Sequence, residues 1–359
     1  MIELNRSKIE EIDKSNMFAV LSDFPGQVKH AIEIGKNADG FRKKTVSNEF
    51  AILGMGGSAI GGDILKSYVA HIPGANKLRI STYRNYTLPA YIDSRTNVIA
   101  SSYSGGTEET ISAFSQALGI SENILCITTG GKLGSLAEEN AVPITKIPDG
   151  FQPRCALGYS FFPMLLAVMK TGAFSEEAME ETEYGINETV KLLEEKSKVF
   201  SGFGKENLAL QLAMKLADKM PVIYSSSDRM DSVNLRWRRQ IQENAKTLAF
   251  GDYLPEMNHN EINSWSYPAE IVKNSAIIIL KDREDNPRTQ IRFNAITSLL
   301  SDYAGDIITL ESNSSTWLAR IFDMIYLGDW VSYYIAILKN QDPTPIPLIS
   351  KLKTILSGS

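Results

Sequence analysis

Cysteine, histidine and excess basic charge are all scarce in this chain of 359 residues. Two cysteines, Cys126 and Cys155, are too few for a disulfide framework and indicate a reducing compartment. The three histidines have no neighbouring cysteine cluster, which argues against a structural zinc site. A formal net charge of −5 argues against non-specific binding of nucleic acid.

Targeting and membrane signals are also missing from the sequence. The N-terminal residues MIELNRSKIEEIDKSN are charged and lack the apolar core of a signal peptide. No apolar run reaches the length that a membrane span requires. We therefore expect a cytoplasmic protein with no membrane partner, and the length, about twice that of a typical domain, predicts two domains.

Two segments rich in glycine and hydroxyl residues are the most informative part of the chain. Residues 51–63 read AILGMGGSAIGGD and residues 99–110 read IASSYSGGTEET. In each, an apolar strand runs into a glycine-containing loop that opens a helix. Glycine lets the backbone approach an anion, hydroxyls add neutral donors, and a helix N-terminus adds partial positive charge. The two loops together predict a phosphate pocket.

Other readings of the first loop are weaker. Gly54 to Ala59 fits the dinucleotide-binding fingerprint, but the next strand ends in Arg84-Asn85-Tyr86 and not in an acidic residue. Asp63 stands where a nucleotide-binding loop would place its lysine. A tight turn without a ligand would account for the glycines of the first loop. Such a turn would not account for the three hydroxyls of the second loop, Ser102, Ser104 and Thr107.

Strands and helices alternate on both sides of these loops. Apolar runs predict strands at 50–53, 78–83, 97–101, 123–127 and 142–147, and again at 221–225, 276–280 and 306–310. This alternation predicts an α/β fold with mostly parallel, doubly wound sheets, whose ligands bind beyond the carboxyl ends of the strands. The turn-rich segment 148–153 suggests a boundary between domains 1–152 and 153–359, followed by a helical stretch over 160–198. In the second half, Ser225–Ser227 lies at the end of the first strand. Gly56–Ser58 has the same position in the first half.

Several motifs together resemble one family of enzymes. GMGGSAIGGD, SYSGGTEET, PRCALGY at 153–159, QENAK at 242–246 and PEMNHNEINSW at 255–265 resemble the bifunctional phosphoglucose/phosphomannose isomerases. The resemblance runs from about residue 48 to the C-terminus. It implies two sugar-isomerase (SIS) domains, each a flavodoxin-like three-layer α/β/α sandwich. Residues 1–45 are polar and helix-prone, and we expect them to form a helical lead-in to the N-terminal domain.

The resemblance also implies roles for individual residues. The substrate site would be lined by Gly56, Gly57 and Ser58, and the sugar phosphate would be held by Ser102, Ser104 and Thr107. Arg154 would lie near C1 and C2 of the sugar. Glu243 would transfer the proton, and His259 would open the ring. In relatives this histidine reaches the site of the neighbouring subunit, which implies a homodimer.

Two positions depart from the family pattern. The phosphate loop usually reads SGNT, but here Gly106 replaces the asparagine. Some relatives carry a lysine in the last long helix to assist ring opening, whereas Tyr334 stands here and the nearest lysine is Lys339.

The implied reaction is an aldose–ketose isomerisation of glucose 6-phosphate and fructose 6-phosphate, with mannose 6-phosphate as a further substrate left open. A carboxylate base and an arginine suffice for a cis-enediolate mechanism, so no metal or cofactor is expected. Position alone leaves Glu243 open as a surface glutamate paired with Lys246 or Arg239, and Arg154 as part of an interdomain salt bridge. Two rival functions also stay open: an SIS enzyme of aminosugar phosphates, and a sugar-phosphate-binding regulator without catalysis.

Overall fold

The computed structural model describes residues 4–43 and 47–357. The strands are β1 Glu49–Leu53, β2 Arg79–Tyr83, β3 Asn97–Ser102, β4 Asn123–Thr128, β5 Ile144–Lys146, β6 Met220–Ser226, β7 Phe250–Leu254, β8 Ser275–Lys281 and β9 Asp306–Glu311. The helices before β6 are α1 Arg6–Ile12, α2 Met17–Ser22, α3 Phe24–Asn37, α4 Gly56–Val69, α5 Glu108–Ala117, α6 Gly131–Glu139, α7 Leu157–Lys170, α8 Glu176–Phe200 and α9 Leu208–Leu216. The later ones are α10 Asp231–Asn244, α11 Ala269–Lys273, α12 Pro287–Leu300, α13 Trp317–Leu338 and α14 Pro347–Ser357.

The chain forms two compact units. The first unit comprises Asp23–Glu194 and Ser314–Arg320, and the second comprises Met1–Ser22, Glu195–Asn313 and Ile321–Ser359. These units divide the chain elsewhere than at the boundary after residue 152 that the sequence suggests. The reason lies in α7, which follows that boundary yet packs against α3 and α4 of the first unit.

The first unit contains a five-stranded sheet of order β2-β1-β3-β4-β5, in which all neighbours are parallel. This is the strand order of flavodoxin-like folds. β3 and β4 are buried along their whole length, as expected for parallel strands covered on both faces. Residues Ala51, Leu53, Val98 and Ala100 pack against α5 and α6. Ile52 lies on the other face, beside Gly62 of α4.

The second unit repeats this design with a four-stranded parallel sheet of order β7-β6-β8-β9. Its connectivity matches that of the first four strands in the first sheet. The predicted strands at 221–225, 276–280 and 306–310 are confirmed. The edge strand β7 was not predicted, because its sequence FGDYL has no apolar run and only Leu254 is buried.

Two helical predictions need correction. The helical stretch predicted over 160–198 is two helices, α7 and α8, because Gly172 between them adopts a φ of +82° that ends the first helix. The statement that no apolar run reaches the length of a membrane span was wrong for α13. That helix is long and apolar enough, but 94% of its apolar window is buried inside the protein, as expected for a core helix.

Candidate active site

The first glycine loop connects β1 to α4 and packs closely against its surroundings. Gly56 has a φ of +50°, and a Cβ added there would meet nothing within 4 Å, so its backbone faces open space. A Cβ added to Gly57 would lie 2.5 Å from the carbonyl oxygen of Pro153. The two glycines therefore serve different purposes: Gly56 leaves the N-terminus of α4 open, and Gly57 allows a neighbouring backbone to approach it.

The second loop follows β3 and opens α5. The Ser102 hydroxyl donates to Thr107 Oγ1 at 3.0 Å, and the exposed Ser104 hydroxyl accepts from the Gly106 N–H at 3.3 Å. Gly105 has a φ of +65°, and a Cβ there would collide with the carbonyl oxygen of Gly130. Gly106, by contrast, has nothing closer than 3.8 Å to an added Cβ, so the fold does not itself require glycine where relatives have asparagine.

The two loops are joined directly. The buried hydroxyl of Ser58 in α4 accepts a hydrogen bond of 3.0 Å from the backbone N–H of Tyr103 in the second loop. The first N–H groups of each helix have no partner within the helix. The structure thus brings the N-termini of α4 and α5 to one edge of the first sheet, where the sequence predicts an anion.

Arg154 belongs to the same assembly. It lies in the 3-10 helix Pro153–Cys155, is only 3% exposed, and has its backbone nitrogen 3.2 Å from where a Cβ on Gly57 would be. Gln27 fixes the far side of this turn: its Nε2 donates to the carbonyl of Cys155 and its Oε1 accepts from Gly158 N–H, both at 2.9 Å. Arg154 therefore sits beside the glycine loop inside the first unit.

Glu243 lies in the second unit, in the last turn of α10, and is partly buried. The same helix contains a buried ion pair in which Arg236 Nε and Nη2 contact the Asp329 carboxylate of α13 at 3.0 and 2.6 Å. Gln240 donates to the same carboxylate at 2.9 Å. Lys246 binds the carbonyl oxygens of Asn244 and Asp342. These contacts hold α10 along its length and at its end.

His259 is exposed in the 3-10 turn Glu256–His259 that follows β7. The turn is anchored by its neighbours: Met257 is fully buried, and the Asn258 side chain accepts from Arg292 Nη1 at 3.2 Å. Burial raises the pKa of Glu261, whose carboxylate accepts from Tyr224. Within residues 4–43 and 47–357, no side-chain hydrogen bond or ion pair joins the His259 imidazole to any other residue, Glu243 included.

The serine loop of the second unit differs from its counterpart in the first. Ser226 donates to Asp285 Oδ1 at 2.6 Å, and the Asp282 backbone N–H donates to the other Asp285 oxygen at 2.7 Å. Arg229 contacts Asp282 at 3.2 Å. Burial is the main cause that raises the pKa of Asp285 to about 6. Carboxylates of the chain itself thus occupy this edge of the second sheet.

Tyr334, where some relatives carry a lysine, and Lys339, the nearest lysine, both have hydrogen-bond partners within the fold. Tyr334 is buried, and its hydroxyl donates to the Phe200 carbonyl. Lys339 donates to Thr247 Oγ1 at 3.0 Å. Among the residues that the structure describes, no three His, Cys, Asp or Glu side chains lie where they could hold a metal ion.

The comparisons with known proteins agree with the motifs. Residues 205–356 match the family described as the bacterial phospho-glucose isomerase C-terminal SIS domain. A bifunctional phosphoglucose/phosphomannose isomerase from Caldicellulosiruptor bescii is 41% identical over 343 residues, which are 95% of this chain and 99% of that protein. The one from Aquifex aeolicus is 34% identical over 300 residues, 84% of this chain and 88% of that protein.

This chain belongs to the bifunctional phosphoglucose/phosphomannose isomerase family. Its fold is also that of the C-terminal domain of glucosamine-fructose-6-phosphate aminotransferase from Francisella tularensis, with a TM-score of 0.67. The two chains are 17% identical in sequence, and the superposition covers 92% of this chain and 98% of the other. The predicted fold, two parallel-sheet SIS domains, is confirmed, and the family resemblance read from the motifs is confirmed as well.

Proposed function

We propose that this family member is an aldose–ketose isomerase that interconverts glucose 6-phosphate and fructose 6-phosphate, and mannose 6-phosphate with fructose 6-phosphate. The observation that carries the proposal is the joined pair of loops at the N-termini of α4 and α5, with Arg154 beside them. Backbone N–H groups, three hydroxyls and two helix N-termini form a site for a phosphate dianion. The buried Arg154 side chain, whose turn packs against Gly57 of the first loop, supplies a fixed positive charge.

The roles proposed for the remaining groups follow from the reaction. After ring opening, the Glu243 carboxylate removes the proton from C2 of the aldose, and the C–H electron pair forms the C1–C2 double bond of a cis-enediolate. Negative charge develops on O1, where the Arg154 guanidinium stabilises it. A proton passes from O2 to O1, and Glu243 returns its proton to C1 to give the ketose. One carboxylate thus performs both transfers, and no redox cofactor is needed.

We propose that His259 acts as the acid and base of ring opening in the site of a second copy of the chain. Its imidazole is exposed and without a partner in the described part of its own chain, while the turn that carries it is anchored. An imidazole can both donate and accept a proton, as ring opening requires. The edge strand β7 just before this turn exposes Phe250, and Leu248 precedes it, so apolar surface is available for a homodimer contact.

The two cysteines are free and buried, which suits the reducing cytoplasm that we propose as the protein's location. Neither rival function has a specific observation in its favour, but both predict different outcomes in one assay.

The decisive experiment is a coupled assay with fructose 6-phosphate, mannose 6-phosphate and glucosamine 6-phosphate as separate substrates, using the parent chain and Glu243→Gln. The proposal expects turnover of the first two by the parent and loss of that turnover in the variant. Turnover of the aminosugar alone would establish the rival enzyme. Binding of fructose 6-phosphate without any turnover would establish the regulator.

A further inference from the structure

Tyr103 lies between the two serines of the second loop and contacts three other segments of the first unit. Its backbone N–H donates to the Ser58 hydroxyl at 3.0 Å, and its carbonyl accepts from the Thr129 N–H at 3.1 Å. Its phenolic oxygen accepts from the backbone N–H of Phe151 at 2.9 Å. The proposed phosphate site uses the residues on either side of Tyr103 but assigns nothing to its side chain.

The phenolic contact holds the segment that leads to Arg154. Residues 147–152 between β5 and the Arg154 turn contain no helix or strand, and Gly150 has a φ of +90°. Phe151 is fixed in this segment by two contacts: its N–H donates to the Tyr103 hydroxyl, and its ring packs against Tyr159 with centroids 5.6 Å apart. The Tyr103 side chain thus links the phosphate loop to this segment.

The geometry of the substrate makes such a link important. The phosphate of a hexose 6-phosphate lies at one end of the open chain, and the reacting carbons C1 and C2 lie at the other. A phosphate held by the second loop and a cation held by the Arg154 turn must therefore keep a set separation. Displacement of a charged group by about 1 Å can cost on the order of 10²-fold in rate.

We propose that Tyr103 is a positioning residue for Arg154: by accepting the Phe151 N–H, its hydroxyl sets the place of the guanidinium relative to the phosphate loop. This inference rests on the proposed isomerase function. It does not make Tyr103 a catalytic residue, since the hydroxyl acts on the backbone of Phe151 and not on the substrate.

The test uses Tyr103→Phe, which removes only the hydroxyl, and Tyr159→Phe as a matched control. The Tyr159 hydroxyl pairs with His30 Nδ1 at 3.1 Å, and the control keeps a ring against Phe151. We expect Tyr103→Phe to lower kcat by about ten- to a hundredfold and to leave KM within about twofold. The control should change neither by more than about twofold.

A double-mutant cycle with Arg154→Lys separates positioning from general damage. If Tyr103 acts through Arg154, Tyr103→Phe should cost much less in the Arg154→Lys background than in the parent, because coupled sites are not additive. Equal fold losses in both backgrounds would overturn the inference, as would an unchanged kcat in Tyr103→Phe. A loss equal to that of the Tyr159→Phe control would overturn it too.

A second readout does not depend on turnover. Hydrogen–deuterium exchange of the segment 148–156 should speed up in Tyr103→Phe but not in Tyr159→Phe, while the affinity for inorganic phosphate stays within about twofold. Unchanged exchange would contradict the inference even if kcat fell. A parent chain that isomerises no hexose 6-phosphate would instead defeat the proposed function, so the two failures are distinguishable.

Discussion

At the residue scale, the proposed proton transfer depends on the carboxylate of Glu243. Glu243→Gln keeps the size and removes the base, so we expect the isomerisation rate to fall by on the order of 10²–10⁴-fold. The proposed phosphate site lies in the first unit, so the inhibition constant of inorganic phosphate should stay unchanged. Steady-state kinetics with phosphate as competitive inhibitor measure both quantities, and near-normal turnover would remove Glu243 from the mechanism.

The hydroxyls of the second loop are predicted to bind the phosphate of the substrate. Ser104→Ala combined with Thr107→Val should raise KM for fructose 6-phosphate strongly, because each hydrogen bond lost to a charged group is worth roughly 1.5–3 kcal/mol. Ser115→Ala is the matched control, since the exposed Ser115 hydroxyl of α5 donates to the Ile111 carbonyl of its own helix. If the protein isomerised unphosphorylated fructose as fast as fructose 6-phosphate, that result would contradict the proposed phosphate pocket.

Single residues were predicted well where local pattern alone decides their surroundings. The glycines and hydroxyls of both loops do lie at strand-to-helix turns, because that placement follows from the order of elements. The role of Tyr103 was missed, since its partners Ser58, Thr129 and Phe151 come from three separate segments of the chain. The roles proposed for Arg154, Glu243 and His259 stay predictions.

At the scale of elements, α4 is packed through its glycines. A Cβ on Gly57 would meet the Pro153 carbonyl at 2.5 Å, whereas a Cβ on Gly134 of α6 would meet nothing closer than 3.9 Å. We expect Gly57→Ala to destabilise the protein by about 1–3 kcal/mol through overpacking and to lower activity by displacing the Arg154 turn. Gly134→Ala should be neutral or stabilising by up to about 1 kcal/mol.

Urea denaturation and the isomerase assay on both variants measure these effects. A Gly57→Ala protein that matched the parent in stability and rate would show that the Arg154 turn can shift freely, against the close contact described above.

The buried acid Asp285, which follows β8, predicts that the stability of the protein depends on pH. The pKa of Asp285 is raised to about 6 by burial, so between about pH 4 and 6 the folded chain holds a proton that the unfolded chain has released. The free energy of unfolding should therefore fall as pH rises through that window, by up to roughly 3 kcal/mol. Denaturation from pH 4 to 7 measures this, and Asp285→Asn should lack that part of the slope. Parallel curves for parent and variant would contradict it.

Elements were predicted wherever an apolar run set them apart. The strands of both sheets that carry such runs were found, and their parallel arrangement followed from the intervening helices. β7 was missed because an edge strand need not be apolar, and the break between α7 and α8 was missed because it depends on one glycine with positive φ.

At the scale of the whole molecule, the proposed use of His259 in a neighbouring site predicts complementation. Glu243→Gln and His259→Ala are each expected to be inactive, yet a mixed dimer would contain one site with both groups intact and one with neither. Activity per mixed dimer should return to at most about half of the parent. The measurement is activity after subunit exchange, followed by mass spectrometry of differently tagged chains.

Two outcomes would contradict this assembly. No recovery in dimers that have exchanged subunits would place His259 in the site of its own chain. Full activity of a monomer at high dilution would remove the need for a second copy.

The acids at the edge of the second sheet also limit how many phosphates the chain can bind. The Asp285 carboxylate accepts a hydrogen bond from the Ser226 hydroxyl. Because this carboxylate belongs to the same chain, its effective concentration at Ser226 far exceeds the concentration of any free sugar phosphate. A free dianion would have to displace a ligand that cannot diffuse away, and it would meet the charge of Asp282 as well. Although the fold is duplicated, calorimetric titration with inorganic phosphate should therefore find one site per chain.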